Sequence, residues 1–194
     1  MLPFIFKRIY TIGDGSCFIH ALLGACNENY KNMNTKSKIS IVRKMRILIS
    51  QYIENSNIYK ELSRGNLEEF SKFVPEVNKN NMINYMKGNG WINYIYIELF
   101  SKLFNINIFI ISNLKKNKGE LYKLGDDDIM YNKDRNSIFI NYINELHFET
   151  LEIYTKNGWK SFFSKNSQIN KYMFENEISI TKENDDENWS ETYV

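Results

Sequence analysis

Two cysteines and two histidines are all the thiol and imidazole this chain of 194 residues holds, so nucleophilic or metal chemistry has few places to sit. Cys17 follows Gly13-Asp14-Gly15-Ser16 and opens a segment in which Phe18, Ala21, Leu22 and Ala25 recur at helical spacing. The glycines let the backbone turn tightly and leave amide N–H groups unobstructed. A cysteine at the start of the following helix faces the positive end of the helix dipole, which favours thiolate over thiol. The neighbouring amides can also form an oxyanion hole for the intermediate of acyl transfer. The same pattern fits a buried cysteine at a helix start capped by Asp14 or Ser16, and a partner histidine decides between the two.

His20 stands one helical turn beyond Cys17 on the same element and reads as a helix-surface or packing residue. His147 lies late in the chain, in Leu146-His147-Phe148-Glu149-Thr150-Leu151. On a strand, successive side chains alternate faces, so His147 and Glu149 share one face. An acid two residues beyond a histidine can orient the imidazole and stabilise its charged form, although Glu149 alone fits a solvated strand residue equally well. Cys17, His147 and Glu149 together make an early-Cys, late-His arrangement for nucleophilic catalysis. Two His, two Cys and the Asp126-Asp127-Asp128 run form no ligand pattern, so neither a metal nor another cofactor is expected.

These residues need elements to place them. Phe4–Ile12 reads as a lead-in segment, and the Cys17 helix ends near Asn27. A second helix is predicted with Ser37 as its cap and Val42, Met45, Ile49 and Tyr52 on its apolar face. Residues 60–85 suggest short helices joined by loops, with Pro75 as a breaker. After the turn Gly88-Asn89-Gly90-Trp91, in which Trp91 reads as a packing residue, a helix carries Ile95, Leu99 and Leu103 to about Phe104. Ile106–Ile111 is a buried strand, Leu121–Leu124 is hairpin-like, and Ile138–Tyr142 and Leu146–Ile153 are two further strands. Helices followed by strands predict an α+β fold with a small sheet covered by helices.

The run Gly13-Asp14-Gly15-Ser16-Cys17-Phe18-Ile19-His20-Ala21-Leu22 resembles the ovarian tumour (OTU) family motif around its nucleophile. Tyr85-Met86, Gly90-Trp91, the helix after it and Phe104-Asn105-Ile106-Asn107-Ile108-Phe109-Ile110 resemble the family's middle segments. The late strand with His147-Phe148-Glu149 resembles its last. The resemblance spans about Tyr10 to Tyr154. It implies a papain-like α+β fold and hydrolysis of the isopeptide or peptide bond after the C-terminal Gly-Gly of ubiquitin or a ubiquitin-like modifier. It implies Cys17 as nucleophile, His147 as general base and then acid, and Glu149 as the orienting acid. Asp14, Gly15, Ser16 and Cys17 then form the oxyanion loop, and Asp14 is the first alternative for orienting His147. The family usually has Asp or Asn where this chain has Glu149, and two glycines where it has Ile92-Asn93. An OTU-like module that holds ubiquitin with little turnover is the alternative reading.

Composition bounds the rest. Hydrophobic residues at 43% and aromatics at 15% supply a folded core. The sequence divides into a catalytic domain over 1–160, an extension over 161–181 packed on it, and an acidic, mobile tail over 182–194. The formal charge of +2, with Lys and Arg scattered, gives no stripe for nucleic acid. No run approaches the roughly 20 apolar residues of a membrane span. Met1-Leu2-Pro3-Phe4-Ile5-Phe6 is ended at once by Lys7-Arg8, unlike a signal peptide. Two cysteines fit a reducing, cytoplasmic setting, and a monomer is expected. The abundance of Asn, Ile and Lys points to an AT-rich genome, such as that of a large DNA virus or an intracellular microbe.

Overall fold

Strand β2 (Ile106–Lys115) begins with six successive buried residues, the signature of a strand covered on both faces. Its parallel partner is β4 (Asn136–Ile143), in register from Ile106 opposite Asn136 to Ile111 opposite Asn141. This is one computed structural model of the chain, describing residues 1–88, 90–92, 94–116, 118–122, 130–144 and 146–178. Antiparallel pairing adds β5 (His147–Thr155) to β4 and β1 (Phe6–Ile9) to β5, while β3 (Lys118–Leu121) pairs with β2. The strand order is β1-β5-β4-β2-β3, with β6 (Gly158–Lys160) on β5 and β7 (Phe162–Phe163) on β4. The lead-in segment is therefore a strand, and the fold is α+β as the element order predicts.

Alternation along β5 assigns its two faces. Phe148 and Thr150 point to helix α1 (Cys17–Cys26): the Phe148 ring meets Phe18 at 5.3 Å, and Thr150 Oγ1 donates to the Ala21 carbonyl at 2.8 Å. Glu152, on the same face, takes Lys31 of the short α2 (Glu28–Lys31) at 3.1 Å. The other face carries Phe6 and Phe139, whose rings lie 6.1 Å apart. Helix α8 (Gln168–Asn176) covers that side, with Tyr172 against Phe4 and Phe174 against Phe109.

Helix α3 (Thr35–Asn55) departs from expectation at two points. Its cap is Asn34, whose side-chain oxygen accepts the Ser37 N–H at 2.9 Å, so Ser37 supplies a backbone donor and not the cap. Its buried residues are Val42, Arg46, Ile49, Ser50 and Ile53, with Met45 half-buried against the core, so Val42, Met45 and Ile49 face inward as expected while Tyr52 is 48% exposed. Arg46 and Ile53 turn inward beside them, where apolar spacing puts Tyr52. Short helices α4 (Ile58–Glu61) and α5 (Leu67–Phe70) lead to α6 (Lys79–Lys87) and α7 (Tyr94–Phe104). Trp91, expected to pack, is half exposed between α6 and α7. Asp126–Asp128 and the acidic 182–194 stretch lie outside the described residues. Among the described residues, no helix is long and apolar enough to cross a membrane.

Candidate active site

The loop before α1 is shaped by one glycine and one carboxylate. Gly15 has φ of 81°, a left-handed conformation that side chains other than glycine's rarely adopt. Asp14 Oδ1 accepts the Ser16 N–H at 3.0 Å and closes the turn. The other Asp14 oxygen lies 3.2 Å from His20 Nε2, and His20 Nδ1 meets the Tyr30 hydroxyl. A carboxylate can only accept, so Nε2 carries the proton and Nδ1 accepts from Tyr30. Burial lowers the His20 pKa, with Asp14 opposing. His20 is thus a satisfied core histidine bracing the loop, and Asp14 serves His20 and Ser16.

Cys17 is the first residue of α1 and is buried. Its thiol faces the backbone N–H groups of Phe148, Phe18 and Cys17 itself. Burial raises the Cys17 pKa, those N–H groups lower it, the Asp14 charge raises it, and the net direction is upward. The helix start by itself favours thiolate. Those donors are present, but desolvation outweighs them in the free protein. Cys26, at the far end of α1, has its thiol pushed up to about 11 by desolvation alone.

Phe148, whose backbone N–H acts on the Cys17 thiol, is the residue after His147, so α1 brings Cys17 to the start of β5, whose first residue is His147. His147 Nε2 lies 3.2 Å from Thr11 Oγ1, and the Thr11 hydroxyl donates to the Phe148 carbonyl. A hydroxyl has one hydrogen. With that hydrogen on the carbonyl, Thr11 accepts from Nε2–H, which leaves Nδ1 as the proton-accepting nitrogen of His147.

Glu149 is buried, and its oxygens go elsewhere. Arg8 on β1 grips it with Nε at 2.6 Å and Nη2 at 3.1 Å, and Asn141 Nδ2 stands 3.4 Å away. Arg8 and Asn141 also line an open groove of about 510 Å³ with Leu114, Tyr122 and Asn144, and neither Cys17 nor His147 is on its wall. The spacing of His147 and Glu149 is legible in the sequence, whereas Thr11 and Arg8 are brought in by the pairing of β1 with β5 and carry no local signal. Among the described residues, no group of three or more His, Cys, Asp or Glu side chains is placed to hold a metal ion.

No protein-family model and no curated protein sequence matches this chain. Solved structures do. An OTU domain in complex with ubiquitin is similar at TM-score 0.53 and 18% identity, over 86% of this chain and 78% of that one. The viral OTU domain protease from Taggert virus is similar at TM-score 0.50 and 15% identity, over 81% of this chain and 85% of that one. Identities this low speak to architecture alone, and in architecture the chain has the OTU-domain fold.

Proposed function

We propose that this protein is a cysteine-dependent deubiquitinase that hydrolyses the bond after the C-terminal Gly-Gly of ubiquitin or a ubiquitin-like modifier. The observation that carries the reading is a helix-start thiol set against the backbone N–H of the residue following a late-strand histidine, within the OTU-domain fold. One structure of that fold is an OTU domain in complex with ubiquitin, which supports the choice of substrate.

The Cys17 Sγ–H proton passes to His147 Nδ1, and the thiolate attacks the carbonyl carbon of the last glycine. The C=O π pair moves to oxygen, and N–H groups of the Asp14-Gly15-Ser16-Cys17 loop and the start of α1 hold that oxyanion. The C–N bond then breaks, His147 returns its proton to the leaving amine, and a thioester remains. Water, deprotonated by His147, cleaves the thioester and regenerates the thiol. Thr11 holds the imidazole in the tautomer this needs, and Glu149 contributes a buried negative charge on the same strand. A reducing cytoplasm, a monomeric state and the absence of a nucleic-acid or membrane partner belong to this reading.

The raised Cys17 thiol and the engagement of Glu149 by Arg8 favour a second reading, a ubiquitin-binding module of low turnover. A ubiquitin probe with a C-terminal electrophile separates the two. The enzyme is labelled at Cys17 within minutes, and labelling disappears in Cys17→Ala and His147→Ala but not in Cys26→Ala. Slow labelling with retained ubiquitin affinity supports the module, and labelling that survives Cys17→Ala rejects both.

A further inference from the structure

Ser16 occupies the position before α1 where a serine ordinarily caps a helix, yet its side chain makes no capping bond. Its oxygen is taken instead by Arg46 of α3, whose Nη1 donates to Ser16 Oγ at 3.2 Å. Arg46 is 1% exposed. Its remaining donors are fixed: Nε on the Met86 carbonyl at 3.2 Å, and Nη2 on the Tyr85 and Gly90 carbonyls at 2.8 and 3.0 Å. Tyr85 and Met86 lie near the carboxyl end of α6, where the helix dipole favours a cation. Gly90 approaches so closely that a Cβ there would lie 2.5 Å from the Tyr85 ring. A planar fork anchored by three carbonyls has one nitrogen left for Ser16, and that nitrogen is aimed by the other bonds.

We propose that Arg46 is a positioning residue for the nucleophile: by holding the Ser16 hydroxyl off the amino end of α1, it keeps the first N–H groups of that helix free for the Cys17 thiolate and the developing oxyanion. A capping serine takes one of those donors for itself. With Ser16 restrained, the Cys17 and Phe18 N–H groups face the thiol, as the structure has them. The burial that raises the thiol makes each of these donors matter more. Arg46 acts through Ser16 and touches no reacting atom. This role rests on Cys17 being the nucleophile.

The test reads Cys17 chemistry without ubiquitin, in a Cys26→Ala background: the rate of alkylation by iodoacetamide as a function of pH, with folding followed by circular dichroism. Arg46→Lys keeps the charge and can serve the carbonyls, but it loses the fork and releases Ser16. Alkylation at pH 7.5 is expected to slow about tenfold, with the pH midpoint moving up by about one unit. Adding Ser16→Ala to Arg46→Lys removes the competing cap and is expected to restore the rate to within about threefold of the parent. Ser16→Ala alone, which keeps the Ser16 backbone N–H, is the reference for the double variant. A double variant as slow as Arg46→Lys overturns the proposal, as does a native rate in folded Arg46→Lys. If Arg46→Lys does not fold, Arg46→Gln and Arg46→Gln with Ser16→Ala take the places of the single and double variants, and the same two outcomes uphold or overturn the proposal. Failure of the ubiquitin probe to react, with these alkylation shifts intact, would reject the enzyme reading and leave the Arg46–Ser16 linkage standing.

Discussion

The two partners of the Arg8–Glu149 pair differ in one respect that sets the cost of losing either: the Glu149 side chain is 1% exposed and the Arg8 side chain 40%. Removing Arg8 strands a carboxylate where water cannot reach it, and removing Glu149 lets the guanidinium return to solvent. Arg8→Met is therefore expected to cost about 3–4 kcal/mol and Glu149→Gln about 1 kcal/mol, measured by urea denaturation. Equal costs would place Glu149 in a more hydrated setting than the one described. The same pairing separates structure from turnover. Thr11, not Glu149, is hydrogen-bonded to His147, so Thr11→Val is expected to lower kcat about ten- to a hundredfold with KM unchanged, while Glu149→Gln retains most of the rate. Steady-state kinetics on a fluorogenic ubiquitin substrate checks both, and the reverse order would return the orienting role to Glu149. Cys17, His147 and Glu149 stand out in the sequence because their chemistry is local: a loop with two glycines, and an acid two residues past a histidine. Thr11 lies 136 residues from His147 and Arg8 lies 141 from Glu149, separations that no local pattern spans.

Helix starts show how narrowly local chemistry decides an element. Asn34 and Ser37 are both capping residue types, and the sequence reading starts α3 at Ser37. The structure starts it earlier, because Asn34 is extended with ψ of 159° and its side-chain oxygen reaches the Ser37 N–H three residues on. The Ser37 hydroxyl has no part in the cap. Asn34→Ala is expected to cost about 1 kcal/mol in thermal or urea unfolding, and Ser37→Ala less than about 0.5 kcal/mol. A larger loss for Ser37→Ala would put the helix start where the sequence alone puts it. The central strands carry a stronger local signal. The β-branched and aromatic runs at Ile106–Ile111 and Ile138–Tyr142 have no helical period, and Ile106–Ile111 and Ser137–Asn141 are buried on two faces in the middle of the sheet. The short β1 has no local signal because Phe6–Ile9 is four residues with two charges in the middle, and only its pairing with β5 makes it a strand. The inward stripe of α3 is legible only in part for a related reason. Apolar spacing does not anticipate an arginine turned inward, and Arg46 becomes intelligible only when the carbonyls of Tyr85, Met86 and Gly90 are placed around it.

At the scale of the whole molecule, the sheet divides labour between its faces. The α1 face brings Cys17 to the start of β5, with Phe18 wedged between Phe148 and Phe100 at 5.3 Å from each. The opposite face holds a run of aromatic contacts, Phe6, Phe139 and Phe109, with α8 laid across it. Met173 on α8 is fully buried, and the Ile178 N–H returns to its carbonyl at 3.0 Å. Truncating that side chain removes apolar contacts and leaves a cavity that a packed sheet cannot collapse to fill. Met173→Ala is accordingly expected to lower stability by about 2–5 kcal/mol in urea denaturation. The rigid sheet stands between α8 and the thiol, so the fraction that remains folded should keep its rate. Labelling of Cys17 by the ubiquitin probe at low temperature is expected to stay within about twofold of the parent, with the loss confined to temperatures where the variant unfolds. A variant with unchanged stability but a tenfold slower Cys17 would mean that the two faces are coupled through the sheet, and the division of labour would have to be abandoned.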